Sequence, residues 1–322
     1  MHIRHVIGWL LPLIVVMTGT TLVSAQDYPV KPIRVYTSAP GGSSDFVARL
    51  VAQGISAPLG QQVIIENRTG ATTGGDIVSK APADGYTLIY WGSTLWTLPL
   101  LRQSVPYDIA RDFAPVTMSI LEPLLLVVHP SLPIKSPKEL VALARTRPGD
   151  LNYASGGAGS SNHLAAELFK SMAGANIVNI SYKGSGGAVI ALVGGEVQMM
   201  FSTTGAVMAH VKTGRLRALA VTSAKPSALV PGLPTVAAAG LAGYEASQKA
   251  GLLAPAKTPV PVINRLNHEV VLFLNKSDVK ERFLSHGVEV VANSPEEFAA
   301  TIKSEMARMG KVIKDANIRD EN

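Results

Sequence analysis

The chain has 322 residues, of which 47% are apolar, and a formal net charge of +6. This length exceeds that of one average domain and favours two α/β units, each with its own core. The absence of cysteine excludes thiolate catalysis, disulfides and cysteine-bound zinc, and the modest, scattered positive charge favours small anionic ligands rather than nucleic acid.

Residues 1–25 have the pattern of an export signal. Arg4 precedes a short apolar core, and Val23 and Ala25 stand where small residues precede a cleavage site. The strongly apolar stretch 6–17 is shorter than the roughly 20 residues of a membrane-spanning helix. We therefore expect a cleaved signal rather than a membrane anchor.

The chain after the signal alternates predicted strands and helices. KPIRVYTSA, QQVIIEN and GYTLIYWG have the pattern of strands, and DFVARLVAQGI has apolar residues near helical spacing. Such β-loop-α alternation predicts a mostly parallel, doubly wound sheet.

A second β-loop-α series begins near residue 127 and ends near residue 243. The tail after it is mainly helical, with a short strand at GVEVV and a helix start at SPEEF, where Ser294 and Glu297 form a capping box. A tail that packs back on the first unit makes the chain cross twice between two lobes. We therefore predict a hinge and a central cleft, with residues 26–126 plus 244–322 in lobe 1 and 127–243 in lobe 2.

Two glycine- and serine-rich loops repeat one pattern at a constant offset of 117 positions. The matched pairs are Ser38 with Ser155, Gly42 with Gly159, Ser43 with Ser160, and Ser44 with Ser161. A loop that enters a helix N-terminus exposes unpaired N–H groups and the positive end of the helix dipole, and glycine lets a ligand approach closely. One such loop on each lobe predicts a clamp for a single carboxylate. Asp45, whose charge opposes an anion, is expected to cap or fix its own loop.

Other kinds of site have weaker signals. Neither a dinucleotide fingerprint nor a phosphate-binding loop motif occurs, and no G-x-S-x-G elbow is present. His163 near Ser160 and Ser161 is the best candidate base for a secreted serine hydrolase, although a hydrogen bond from His163 to the neighbouring loop is the favoured interpretation. His163 and Glu167 lack a third metal ligand. We therefore expect no catalytic residue, no metal and no cofactor.

Several runs carry a family resemblance in order along nearly all of the mature chain. They are YPVKPIRV, PGGSSDFVARLVAQ, LGQQVIIENRTGA, DGYTLIYW, VPYDIARDFAPVT, GSSNHLAAELFK, SYKGSGGAVIALVGGEVQMMF, GRLRALAVTSAK, LPTVAAAG, GLLAPAKTP and SPEEFAATIKSE. Together they resemble the periplasmic solute-binding receptors of tripartite tricarboxylate transporters, the Bug family.

The resemblance implies a type II periplasmic-binding-protein fold, a periplasmic location and a carboxylate ligand that the receptor delivers to the transporter's membrane subunits. No heptad run suggests assembly, so we expect a monomer. It also implies that two loops, Ser38 to Asp45 and Gly156 to His163, hold one ligand carboxylate through backbone N–H groups and ordered water.

The departures from the family pattern concern the rest of the ligand. Residues 37–40 are Thr-Ser-Ala-Pro where the family has an aromatic residue and a second proline, Ser202 and Thr203 replace Asp-Asn, and Gln248 and Lys249 replace Trp-Phe. The loss of the acidic residue disfavours an ammonium group on the ligand.

We therefore predict a purely anionic ligand, a dicarboxylate, whose second acidic group faces Ser202, Thr203 and Lys249. The loss of aromatic bulk admits a long chain or a ring such as that of terephthalate. Trp91 either stacks on such a ring or packs beneath the loop, and Lys249 alternatively is a solvated surface lysine. The residues predicted to bind the ligand are Ser38, Ala39, Gly41, Gly42, Ser43, Ser44, Asp45, Trp91, Ser93, Ala158, Gly159, Ser160, Ser161, His163, Ser202, Thr203 and Lys249.

Overall fold

A computed structural model describes residues 28–40, 43–157, 159–182, 184–315 and 317–318. The predicted signal, residues 1–25, and the predicted site residues Gly41, Gly42 and Ala158 lie outside the described residues. No helix in the described ranges is long and apolar enough to cross a membrane.

The described chain alternates strands and helices. The strands are β1 (Ile33–Thr37), β2 (Val63–Asn67), β3 (Thr87–Gly92), β4 (Phe113–Val128), β5 (Asn152–Ser155), β6 (Val178–Ser181), β7 (Met199–Thr203), β8 (Arg217–Val221), β9 (Ser247–Pro255) and β10 (Glu289–Val290). The helices are α1 (Ser43–Leu59), α2 (Ala71–Ser79), α3 (Thr94–Leu101), α4 (Ile109–Asp112), α5 (Pro137–Thr146), α6 (Ser161–Ala173), α7 (Ser185–Gly194), α8 (Thr204–Lys212), α9 (Val260–Leu274), α10 (Ser277–Ser285) and α11 (Pro295–Asp315).

One sheet forms the first lobe, in the strand order β2-β1-β3-β9-β4-β10. β1 runs parallel to β2 and β3, as expected for β-loop-α units. β9 is antiparallel to both β3 and β4. The sheet is therefore mixed rather than mostly parallel. The chain leaves the first lobe along β4 and returns to it along β9, and these two strands run in opposite directions.

The second lobe has the strand order β8-β4-β7-β5-β6. β4 belongs to both sheets: its first part pairs with β9, and Leu124–Val128 pairs with β7 and β8. The two sheets meet at Glu122 and Pro123, which pair with Gln248 and Ser247 at the start of β9. The predicted boundary between residues 126 and 127 therefore falls inside a strand.

The C-terminal helix α11 packs on both lobes. Phe298 and Ile302 lie in the apolar cluster of Trp96 in the first lobe. About two to three turns after Ile302, Met309 and Val312 join the cluster built around Phe169 of the second lobe. The sequence predicts that the tail packs back on the first lobe; the second half of α11 also contacts the second lobe, because its apolar face continues past the lobe boundary.

The predicted helix ends are confirmed where local chemistry determines them. The Ser294 hydroxyl accepts a hydrogen bond from the Glu297 N–H (3.2 Å), and the Glu297 carboxylate accepts one from the Ser294 N–H (3.0 Å), which completes the capping box of α11. The Ser136 hydroxyl caps α5 by accepting a hydrogen bond from the Glu139 N–H at 3.2 Å, and Gly174 ends α6 with φ 56°. These helix ends are therefore determined by contacts between residues close in the sequence.

Candidate functional site

A cavity of about 260 Å³ lies between the two sheets. Its lining comes from both lobes and from α11. The lining residues are Ser38, Ser43, Ser44, Trp91, Gly92, Ser93, Thr94, Thr97, Leu124, Gly159, Ser161, Leu164, Ala165, Ala246, Ser247, Gln248, Glu305, Arg308 and Met309. The predicted residues Ser38, Ser43, Ser44, Trp91, Ser93, Gly159 and Ser161 thus meet in one place.

The first-lobe wall is the turn from β1 into α1. Asn67 braces this turn: its amide nitrogen donates to the Ser38 carbonyl oxygen and to the Asp45 carboxylate, both at 2.6 Å. Asp45 is buried and also pairs with Arg49 at 3.0 Å, outside the cavity lining. Asp45 therefore fixes the loop, as the sequence indicated, while Ser43 and Ser44 face the cavity.

The second-lobe wall is the turn from β5 into α6. The side chain of the N-cap residue Ser160 makes no cap hydrogen bond to the first turn of α6 and instead donates to the Gly157 carbonyl oxygen at 2.6 Å. The Asn162 side-chain oxygen accepts a hydrogen bond from the His163 N–H at 2.9 Å, and Ser161, the first residue of α6, lines the cavity. A helix N-terminus beside a cavity is a favourable position for an anion.

His163 supports this second loop. Its Nδ1 accepts a hydrogen bond from the Gly159 N–H at 3.1 Å, and burial lowers the pKa of the imidazole. The ring is therefore neutral at neutral pH. The hydroxyls of Ser160 and Ser161 hydrogen-bond to Gly157 and Gln248 instead of His163. The geometry favours the loop-supporting interpretation over an activated serine.

Trp91 borders the cavity at the end of β3. Its ring lines the cavity and also packs on α2, where a Cβ added to Gly74 would lie 2.9 Å from the ring. The indole N–H donates to the Thr94 hydroxyl at 3.2 Å. The structure therefore gives Trp91 a packing contact with α2 and a place in the cavity lining.

Three predicted positions on the far side of the ligand lie elsewhere. Lys249 is buried, and its ammonium is 3.7 Å from the carboxylates of both Glu245 and Glu305, so it is neither a cavity cation nor a solvated surface lysine. Ser202 and Thr203 lie on β7 outside the lining, and Leu124, opposite Thr203 in the sheet, occupies that wall. Ala39 also lies outside the lining.

The far wall comes from residues that the sequence interpretation missed. Glu305 and Arg308 of α11 line the cavity, as do Gln248 and Ser247 of β9. Glu305 stands among the apolar positions 298, 302, 309 and 312 of α11 and is only 7% exposed. The sequence signal for Glu305 was a charged residue in the apolar stripe of a helix. A buried carboxylate needs hydrogen-bond or ion-pair partners, so a residue of this kind indicates a polar site in the interior.

Gln248 links the lobes directly. Its side-chain oxygen accepts a hydrogen bond from the Ser161 hydroxyl at 3.3 Å, so the start of β9 contacts the first turn of α6 across the cavity. Ser161 therefore takes part both in the second-lobe wall and in the closed arrangement of the two lobes.

Glu122 is a buried acid behind the first-lobe wall. It lies where β4 passes from one sheet to the other, and its Oε2 has no hydrogen-bond partner in the described part of the chain. Burial raises its pKa to about 7, an effect that the Ser43 hydroxyl partly opposes. Glu122 is therefore protonated in part at neutral pH, which limits its repulsion of an anion beside Ser43.

Within the described ranges no three His, Cys, Asp or Glu side chains form a group that could hold a metal ion. The polar residues that line the cavity instead offer hydroxyls, backbone groups, the Gln248 amide and the two charged side chains of α11. This donor set suits a small organic anion.

Comparisons with known proteins agree with this geometry. Residues 47–318 match the family model described as the tripartite tricarboxylate transporter family receptor. The chain is 37% identical to protein BugT of Bordetella pertussis over 305 residues, which cover 92% of this chain and 93% of that protein.

Solved structures give the same result. An R. palustris protein solved with adipate is 36% identical, with a TM-score of 0.80 and coverage of 91% of this chain and 99% of that one. MatC from Rhodopseudomonas palustris, solved with malate, is 30% identical, with a TM-score of 0.76 and coverage of 89% and 100%. The chain therefore belongs to the tripartite tricarboxylate transporter receptor family, whose members are periplasmic solute-binding receptors and not enzymes.

Proposed function

We propose that this receptor captures a small dicarboxylate in the cavity between its lobes and delivers it to the membrane subunits of a tripartite tricarboxylate-type transporter. The observation that carries the proposal is the meeting of two helix N-termini, α1 through Ser43 and Ser44 and α6 through Ser161, at one cavity. Each terminus contributes N–H donors and a partial positive charge to the same anion.

Ligand binding and lobe closure are coupled in this arrangement. A carboxylate that contacts both termini stabilises only the conformation in which they face each other, so binding shifts the population toward the closed form. The hydrogen bond between Ser161 and Gln248 belongs to that conformation. Closure therefore offers the membrane subunits a surface that distinguishes loaded from empty receptor.

The size and lining of the cavity limit the ligand. About 260 Å³ lies below the roughly 300–1,000 Å³ of sites for drug-sized molecules. The apolar side chains of Leu164 and Met309 lie on the same cavity as the polar loops. Relatives were solved with adipate and malate. We infer an aliphatic diacid or an aromatic one such as terephthalate, whose ring would contact Trp91.

Export is part of the same proposal. Residues 1–25 act as a cleaved signal, and the mature chain acts as a monomer in the periplasm. Mass spectrometry of protein from the periplasmic fraction is expected to give a mature N-terminus near Gln26, and a chain that retains residues 1–25 in the membrane fraction would contradict the cleaved signal.

The ligand class is tested by thermal unfolding and calorimetry of the mature protein with aliphatic dicarboxylates, citrate, aromatic mono- and dicarboxylates, and amino acids. A diacid at 100 times its dissociation constant is expected to add about 2.7 kcal/mol to the free energy of unfolding, a shift of several degrees. Stabilisation by amino acids or amides alone would contradict the dicarboxylate assignment. Turnover of ester substrates that disappears in His163→Ala would favour the secreted hydrolase.

Gly159 provides a test of closure. It has φ 72°, and an added Cβ would lie 2.4 Å from Cδ1 of Leu101 on α3 of the first lobe. We expect Gly159→Ala to weaken diacid binding at least tenfold, because the methyl group keeps the lobes apart, and also to cost roughly 1–2 kcal/mol of stability from backbone strain. Calorimetry and thermal unfolding measure the two effects.

Gly60→Ala is the matched control for that variant. Gly60 has φ 66°, and nothing lies within 4 Å of an added Cβ, so this substitution introduces the strain without the contact between lobes. Its diacid affinity is expected to equal that of the wild type. Equal affinities for the two variants would show that the contact between Gly159 and Leu101 does not limit closure.

A further inference from the structure

The end of the cavity formed by α11 contains two charged side chains in very different states. Glu305 and Arg308 are one turn apart and both line the cavity. The first is buried and the second is half-buried. Their hydrogen-bond partners show which of them remains available to a ligand.

Glu305 is satisfied by the protein. Its Oε2 accepts a hydrogen bond from the Trp96 indole N–H at 3.1 Å, and its Oε1 lies 3.7 Å from the Lys249 ammonium. Lys249 is shared in turn with Glu245, also at 3.7 Å. These contacts occupy the carboxylate of Glu305 and the ammonium of Lys249, so neither is left to bind a ligand.

Arg308 is not satisfied in the same way. Its guanidinium donates to the backbone carbonyl oxygen of Glu245, and no carboxylate in the described part of the chain lies within ion-pair distance of it. A guanidinium has five N–H donors in a planar fork that matches a carboxylate. Arg308 is also the one basic side chain among the described residues that line the cavity.

The position of Arg308 relative to the helix termini gives the geometry of the ligand. Ser161 begins α6, and the next turn of the same helix contributes Leu164 and Ala165 to the lining. Tyr244, the neighbour of the Glu245 whose carbonyl oxygen accepts from Arg308, donates its hydroxyl proton to the Ala165 carbonyl oxygen at 2.9 Å. The second turn of α6 is thus connected to the segment that holds Arg308, and the lining combines the polar loops, the apolar side chains of α6 and the charged side chains of α11.

We propose that Arg308 binds the second acidic group of the ligand and makes this receptor selective for diacids over monoacids of the same length. The inference rests on the proposed function, since it requires a first carboxylate at the helix N-termini. The second acidic group of the ligand then lies at α11, whereas the sequence predicted it at Ser202, Thr203 and Lys249. An apolar chain or ring spans the middle of the cavity along Leu164 and Met309.

The test compares pairs of acids in calorimetry on the mature wild-type protein, Arg308→Gln and Arg308→Lys. The pairs are succinate with butanoate, adipate with hexanoate, suberate with octanoate, and terephthalate with benzoate. We expect the wild type to bind one diacid at least tenfold more tightly than its monoacid partner. Arg308→Gln should lose at least tenfold for that diacid and less than threefold for the monoacid, and Arg308→Lys should lie between them.

Arg215→Gln is the matched control, because it removes the same charge from an exposed position of the second lobe. It is expected to leave every affinity unchanged. Retained monoacid binding shows that the cleft of each Arg308 variant is folded. If Arg308→Gln does not fold, the comparison of diacid and monoacid affinities is made with Arg308→Lys.

The outcomes separate the two proposals. Equal diacid affinity in the wild type and Arg308→Gln, or equal affinity of the wild type for diacid and monoacid, would overturn the role of Arg308 and leave the carboxylate receptor intact. A wild type that binds none of the eight acids would overturn both.

Discussion

Ser161→Asp is expected to lower the affinity for a carboxylate ligand by at least a hundredfold without destabilising the fold. Ser161 is the first residue of α6 and lines the cavity. A carboxylate there stands where we place the ligand carboxylate and repels it. The same charge at a helix N-terminus stabilises the helix by about 0.3–1 kcal/mol, so the melting temperature should stay level or rise.

Ser161→Asn is the control for shape. Asparagine matches aspartate in size without the charge, so it should lose far less affinity than Ser161→Asp, no more than about tenfold. Calorimetry with the stabilising diacid and thermal unfolding of the free proteins measure the two effects separately. If the two variants lose affinity equally, steric exclusion rather than charge would explain the result, and the anion clamp at α6 would be contradicted.

The second large effect concerns the pH dependence of stability and the buried Glu122. The pKa of this carboxyl is about 7 in the folded protein and about 4.5 when it is solvated. Below pH 4.5 the group is protonated in both states. As the pH rises from 4.5 to 7 the unfolded chain releases the proton first, so the wild type loses about 3 kcal/mol of unfolding free energy through this group.

Glu122→Gln cannot undergo this loss. We expect the difference in unfolding free energy between Glu122→Gln and the wild type to increase in favour of the variant by about 3 kcal/mol from pH 4 to pH 8. Denaturant unfolding at a series of pH values measures it, and the exposed Glu281→Gln serves as the control. A difference that stays constant with pH would mean that Glu122 is not desolvated at the crossing of β4.

Much of the fold and half of the site were predictable because local sequence determines them. The strand β1 followed by a Gly-Ser turn and α1, and the matching turn before α6, predicted two helix N-termini at one cleft. Ser43, Ser44, Gly159 and Ser161 of these turns line the cavity. The capping box at Ser294 is local in the same sense.

β4 shows where local reasoning failed. Pro115 and Pro123 discourage a strand interior, so the sequence alone does not indicate one long strand here. In the structure a single strand of 16 residues passes both prolines, with a register shift after Pro115 and the crossing between sheets at Pro123. The prolines therefore stand at irregular points of a long strand rather than at its ends.

The amino-acid sequence by itself determined the α/β class, the two Gly-Ser turns before α1 and α6 and the family of this receptor, since each of these depends on short contiguous motifs. Only the tertiary structure decided the other end of the cavity. The sequence predicted Lys249 there, but Glu245 and Glu305 neutralise its charge. The basic residue in the lining is Arg308, which belongs to α11, a helix that begins 40 residues after β9 ends. The physical reason is that a side chain's charge acts through its neighbours in space, and packing alone determines which charges face one another.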